Sequence, residues 1–124
     1  MGTTISIKGF EYNTEGLKHA FWMYLREVNI TASDRTVLTY SRDAFYILER
    51  LPERWIQFFL FDVEYTDKEM KETLEFIIAR DITADRKYPA KDARSYTKHF
   101  WNLVLFLRIL TVVDNARAPR RIGA

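Results

Sequence analysis

Apolar residues recur at intervals of three and four along most of the chain, the period of amphipathic helices rather than of strands. In the first such stretch Leu17, Ala20, Phe21, Tyr24, Leu25 and Val28 share a face, Asn13 or Thr14 stands ready to cap it, and Glu15 lies in its first turn. A second helix is predicted behind Ser33, with Val37, Tyr40, Ala44, Ile47, Leu48 and Leu51 facing inward. The β-branched run TVLTY at 36–40 leaves another reading open, a strand followed by a shorter helix from Ser41.

Pro52 suits the first turn of a third helix, where its missing N–H costs nothing. Trp55, Ile56, Phe58, Phe59, Leu60, Phe61 and Val63 cover nearly every side of that helix, which predicts extensive burial. Thr66 and Glu69 have the spacing of a capping box. The helix behind them has Met70, Leu74, Ile77 and Ile78 as its inner stripe and Glu72 and Glu75 on its wet side.

Residues 82–92 read as a charged loop interrupted by Pro89, after which Asp92 caps a last helix from Ala93 to about Val113. Phe100, Leu103, Leu107 and Leu110 occupy one side of it, Trp101, Leu105 and Val112 a second, and Phe106, Ile109 and Val113 a third. A helix apolar all round belongs at the centre of a bundle, or half in a core and half in an oligomer interface.

Two segments escape this period. ISIKGFEY at 5–12 alternates apolar and polar, which predicts a short strand or extended arm over residues 1–12. A lone strand needs a partner, either the 36–40 segment or another chain. The end of the chain, 115–124, reads as a flexible basic tail. The expected architecture is therefore mainly α: a compact bundle of about five helices with a short N-terminal strand or arm. No repeat, low-complexity stretch or linker divides residues 1–124, and the length suits a single domain.

Composition narrows the chemistry. Glycine stands only at positions 2, 9, 16 and 123, so glycine-rich phosphate-binding turns are absent. There is no cysteine, which removes disulfides, thiolate zinc sites and a cysteine nucleophile and suits a reducing, cytoplasmic setting. The first residues lack the apolar run of a signal peptide. Phe100 to Val113 carries Asn102 and Arg108 and falls short of the about 20 apolar residues a membrane span needs. Met1-Gly2-Thr3-Thr4-Ile5-Ser6 matches a short acylation pattern and is read as incidental.

No serine-nucleophile motif occurs, and the two histidines, His19 and His99, sit in no metal-binding spacing. His99 is read as a structural histidine. Asp62 and Arg108 each interrupt an apolar helix and each requires a partner. Asp62 is expected to pair with Arg108, His99 or another basic group. Neither a catalytic residue nor a cofactor nor a metal is assigned.

Charge is distributed unevenly. Residues 1–79 hold 9 Lys/Arg against 13 Asp/Glu, while residues 80–124 hold 10 against 4. The aromatic fraction, 15%, is high and admits two readings, a well-filled core or a partner surface. With no chemistry in evidence, these features point to a non-enzymatic protein-binding module: a small inhibitor, immunity or adaptor protein, or an accessory subunit. Homo-oligomerisation through opposite patches is compatible with the same asymmetry. The expected contacts are Arg86, Lys87, Tyr88, Lys91, Arg94 and Lys98, with the ridge Glu69, Glu72 and Glu75 as a second surface. The alternative is a nucleic-acid-binding protein that uses the basic stretch 80–98, in which tyrosines are interleaved, and the tail with Arg117, Arg120 and Arg121.

Overall fold

The computed structural model describes residues 4–7 and 9–117, with backbone alone from 114 to 117. The acylation pattern begins outside the described residues, and Arg120 and Arg121 also lie outside them. Among the described residues the element order is β1 (Thr4–Ile7), β2 (Phe10–Asn13), α1 (Thr14–Val28), α2 (Asp34–Arg50), α3 (Glu53–Phe61), α4 (Asp67–Asp81) and α5 (Pro89–Arg117).

The N-terminal segment needs neither the 36–40 run nor another chain as its partner. It folds back on itself as an antiparallel hairpin in which Ile5 faces Tyr12 and Ile7 faces Phe10. Gly9 makes the reversal possible: its φ of +84° is a conformation that a side chain would strain. The β-branched run 36–40 is helix, because Ser33 accepts the Thr36 amide at 3.1 Å and starts α2 ahead of it. Asn13, rather than Thr14, caps α1 by accepting the Gly16 amide. The capping box at Thr66 and Glu69 forms in both directions.

Helix α3 differs from expectation. It ends at Phe61, and Pro52 is its cap rather than its first residue. Only Phe59 and Leu60 are buried, Trp55, Ile56, Phe58 and Phe61 are half-buried, and Val63 is 93% exposed. A nine-residue helix offers one inward stripe; its other apolar residues are only partly covered where they pack against the edge of the core, and Val63 beyond its end stands in water. Asp62 does not pair with Arg108 or His99; it ends α3 and accepts the Glu64 amide at 2.8 Å.

Pro89 opens α5 instead of merely preceding it, and Asp92 lies in the first turn with its amide donating to the Tyr88 carbonyl at 2.9 Å. At the other end α5 continues through Asn115 to Arg117, where a tail was expected, and the rest of that stretch, 118–124, lies outside the described residues.

Helix α5 packs against all four other helices. Phe100, Leu103, Val104 and Leu107 join Phe21, Val37, Ile47, Phe59, Leu74 and Ile78 in one continuous core. Past Leu107 the surroundings thin out: Leu110 is half-buried, while Ile109 and Val112 are exposed. Thr83 ties α4 to α5, since its hydroxyl donates to the Pro89 carbonyl at 2.8 Å and its amide to that of Ile78 at 2.9 Å. This buried tie links the end of α4 to the start of α5. No described helix is long and apolar enough to cross a membrane.

Candidate functional site

Helices α4 and α5 run side by side and leave a groove between them. Its floor is Trp101 and Leu105 with the buried Thr97, all from α5. Asp67, Lys71, Glu72 and Glu75 of α4 form one wall, and Arg94, Lys98 and Asn102 of α5 form the other. This section has a volume of about 660 Å³ and opens broadly to solvent. A second section shares Glu72 and Glu75 and continues along Phe76, Ala79 and Ala90.

The structure redistributes the residues singled out in the sequence. Arg94 and Lys98, expected to belong to one basic surface, face Glu72 and Glu75, expected to form a separate acidic one, across the groove. Glu69 does not join them. Its carboxylate accepts the Thr66 amide and hydroxyl, which holds it below the usual carboxylate range.

Arg86 is also withdrawn from the expected surface. Its guanidinium donates to Tyr96 Oη and Tyr46 Oη, each at 2.9 Å, and the two rings stack with centroids 5.3 Å apart. These bonds hold its charge in place and raise its pKa, so Arg86 joins the start of α5 to α2. Lys87, Tyr88 and Lys91 do remain together and exposed: the two ammonium groups lie 5.4 and 5.8 Å from the Tyr88 ring centre. That cluster is separate from the groove lining.

Sequence reasoning missed Trp101 and Lys71 as site residues. The Lys71 ammonium sits 5.6 Å above the Trp101 ring and partly roofs the floor. A signal was available: 94, 98, 101 and 105 share a helical face, as do 71, 72 and 75.

The charges in the groove are mostly unspent. Among the described residues, Glu72, Glu75, Arg94 and Lys98 form no ion pair within 4.0 Å, whereas Arg80 is bound to Asp81 and Arg108 to Asp67. Opposite charges thus flank an apolar strip without neutralising each other. Such an arrangement can hold a ligand with both an apolar face and charges of both signs.

Elsewhere, His99 Nδ1 lies 3.1 Å from Asp43 Oδ2, and its ring stacks on Tyr40 at 4.3 Å. Burial lowers the imidazole pKa from its ordinary value, with Asp43 opposing part of that shift. The folded state therefore favours the neutral ring. This contribution to stability is complete above the unfolded value of about 6.5 and declines as pH falls through the lower folded value. Wild type should thus lose more stability between pH 7.5 and pH 5 than His99→Gln, measured by urea unfolding. An NMR titration midpoint for His99 at or above 6.5 would contradict this. Among the described residues no group of three or more His, Asp or Glu is placed to hold a metal ion.

No family model matches the chain, no curated protein matches it, and no solved structure matches it.

Proposed function

We propose that this chain is a non-enzymatic protein-binding module, of the kind that serves as a small inhibitor, immunity or adaptor protein or accessory subunit, and that it docks its partner in the α4/α5 groove. The observation that carries this reading is the pair of unneutralised, oppositely charged walls, Glu72 and Glu75 against Arg94 and Lys98, over the floor of Trp101 and Leu105. Charged groups left open around an apolar centre resemble the rim and core of an interface. Opposite signs in one place steer encounter and fix register with a complementary surface.

A polyanion is a poorer fit to the groove, because phosphates near Arg94 and Lys98 would also meet Glu72 and Glu75. The nucleic-acid alternative rests instead on Lys87, Tyr88 and Lys91, where an exposed ring lies between two cations.

Capture from native lysate, with and without nuclease, separates the two. Wild type, the double variant Glu72→Lys/Glu75→Lys and the variant Lys87→Glu are compared, each checked for folding by circular dichroism. A protein retained after nuclease by wild type and Lys87→Glu, and lost by the double variant, is the expected result. Capture that vanishes with nuclease and with Lys87→Glu would transfer the function to nucleic acid. That binding would weaken by roughly 0.9 log unit per log unit of salt for each phosphate contacted on duplex DNA.

A further inference from the structure

We infer that the groove's occupant is an amphipathic helix with basic residues along one flank of its apolar stripe and acidic residues along the other; this rests on the protein-docking reading above and specifies its partner. The groove extends along α5 from the level of Ala90 to that of Leu105. At 1.5 Å per residue this is about 22 Å, the length of a helix of about 15 residues. It lies between two helices, and its far section is lined by the small Ala79 and Ala90 beside the exposed Phe76.

Charge selects the kind of helix. A basic flank set against α4 meets Glu72 and Glu75, with the Lys71 ammonium of that wall drawn inward over the Trp101 ring, while an acidic flank set against α5 meets Arg94 and Lys98. A helix basic on both flanks gains at α4 and is repelled at α5, and one acidic on both flanks suffers the reverse. Helix-in-groove recognition also requires apolar anchors at intervals of three and four; the half-buried Leu105 and the exposed Phe76 offer them apolar surface, while Trp101 lies deeper with Lys71 over its ring. A second copy docked groove to groove about a twofold axis would set one concave face against another, whereas a helix is convex.

Three designed helical peptides of 16 residues test this by fluorescence anisotropy. All share a leucine stripe; one has lysines on one flank and glutamates on the other, one has lysines on both, and one has glutamates on both. Wild type should bind the mixed peptide at least tenfold more tightly than either uniform one. Glu72→Lys/Glu75→Lys, with both walls basic, should shift its preference to the glutamate peptide. Arg94→Glu/Lys98→Glu, with both walls acidic, should shift it to the lysine peptide. These are exposed or half-exposed side chains, and the wild-type comparison stands even if a variant unfolds.

Equal binding of all three peptides, or tightest binding of either uniform peptide by wild type, overturns the proposal. So does a dimer in sedimentation that the double variants abolish, which would assign the groove to a second copy. If no peptide binds but nuclease-resistant, groove-dependent capture persists, the helical occupant is wrong and the docking reading survives. Loss of both would remove both.

Discussion

Phe59→Ala should destabilise the fold by about 3–5 kcal/mol, the range for removing a fully buried aromatic ring. Phe59 has no exposed surface, and its ring meets Trp55, Phe58 and Phe100 at centroid distances of 6.1, 5.3 and 6.5 Å. It joins the short α3 to the central α5. A nine-residue helix has little stability of its own, so its place depends on this packing. Domains of this size are stable by about 5–15 kcal/mol, which makes the loss a large share of the total. Val63→Ser, four residues along in the same apolar run but 93% exposed, should change stability by no more than about 0.5 kcal/mol. Equilibrium urea unfolding measures both. Similar losses at the two sites would mean that α3 does not pack as described.

Arg108→Met should cost about 2–3 kcal/mol, as expected for losing charge-assisted hydrogen bonds at a partly buried site. Two guanidinium nitrogens donate to the Phe59 carbonyl, at 2.8 and 3.2 Å, and a third reaches Asp67 at 3.1 Å. The Phe59 carbonyl is among the last four of α3, which find no donor within their own helix. Helix α3 carries no basic residue in its last turn, so Arg108 of α5 supplies the cation that its C-terminal end favours.

The planar fork also bridges to Asp67 at the start of α4, so one side chain connects three helices. Arg108→Lys should recover only part of the loss, because an ammonium cannot reproduce the paired bonds to one carbonyl. Asp67→Asn should cost less than about 1 kcal/mol, since its side chain is 55% exposed and that ion pair is screened by water. Urea unfolding of the three variants gives the ranking; a loss at Asp67 equal to that at Arg108 would place the energy in the ion pair instead of in the α3 cap.

The groove depends on less conspicuous contacts. Thr83→Val should lower stability by about 1–2 kcal/mol, because it removes the hydrogen bond by which the fully buried Thr83 hydroxyl holds the first turn of α5. The same change should weaken binding of the mixed-charge peptide by disturbing the separation of α4 and α5. Undiminished peptide affinity in a destabilised Thr83→Val would show that the groove does not rely on this tie.

Helix positions and inner faces are legible in the amino-acid sequence alone. The Ser33 cap, the Thr66–Glu69 box and the stripe Met70, Leu74, Ile77 and Ile78 all stand in the fold where their spacing predicts them. Caps and stripes arise from residues three or four apart, and that range is written in the chain itself. Local signals can also be ambiguous. A glycine such as Gly9 does not declare whether it reverses a hairpin, and a proline such as Pro89 can break a helix or begin one.

Which charges stay open cannot be read this way. Arg86 and Arg94 look alike in sequence, yet Arg86 is held by Tyr46, 40 positions away, and Arg94 lines a groove. Arg108 passes over Asp62 for a carbonyl 49 positions distant. The acidic and basic residues that sequence spacing assigns to separate surfaces meet across α4 and α5 because Thr83 and the core bring those helices alongside each other. Neutralisation of a charge depends on distance in space, and folding creates most of those distances from residues far apart along the backbone.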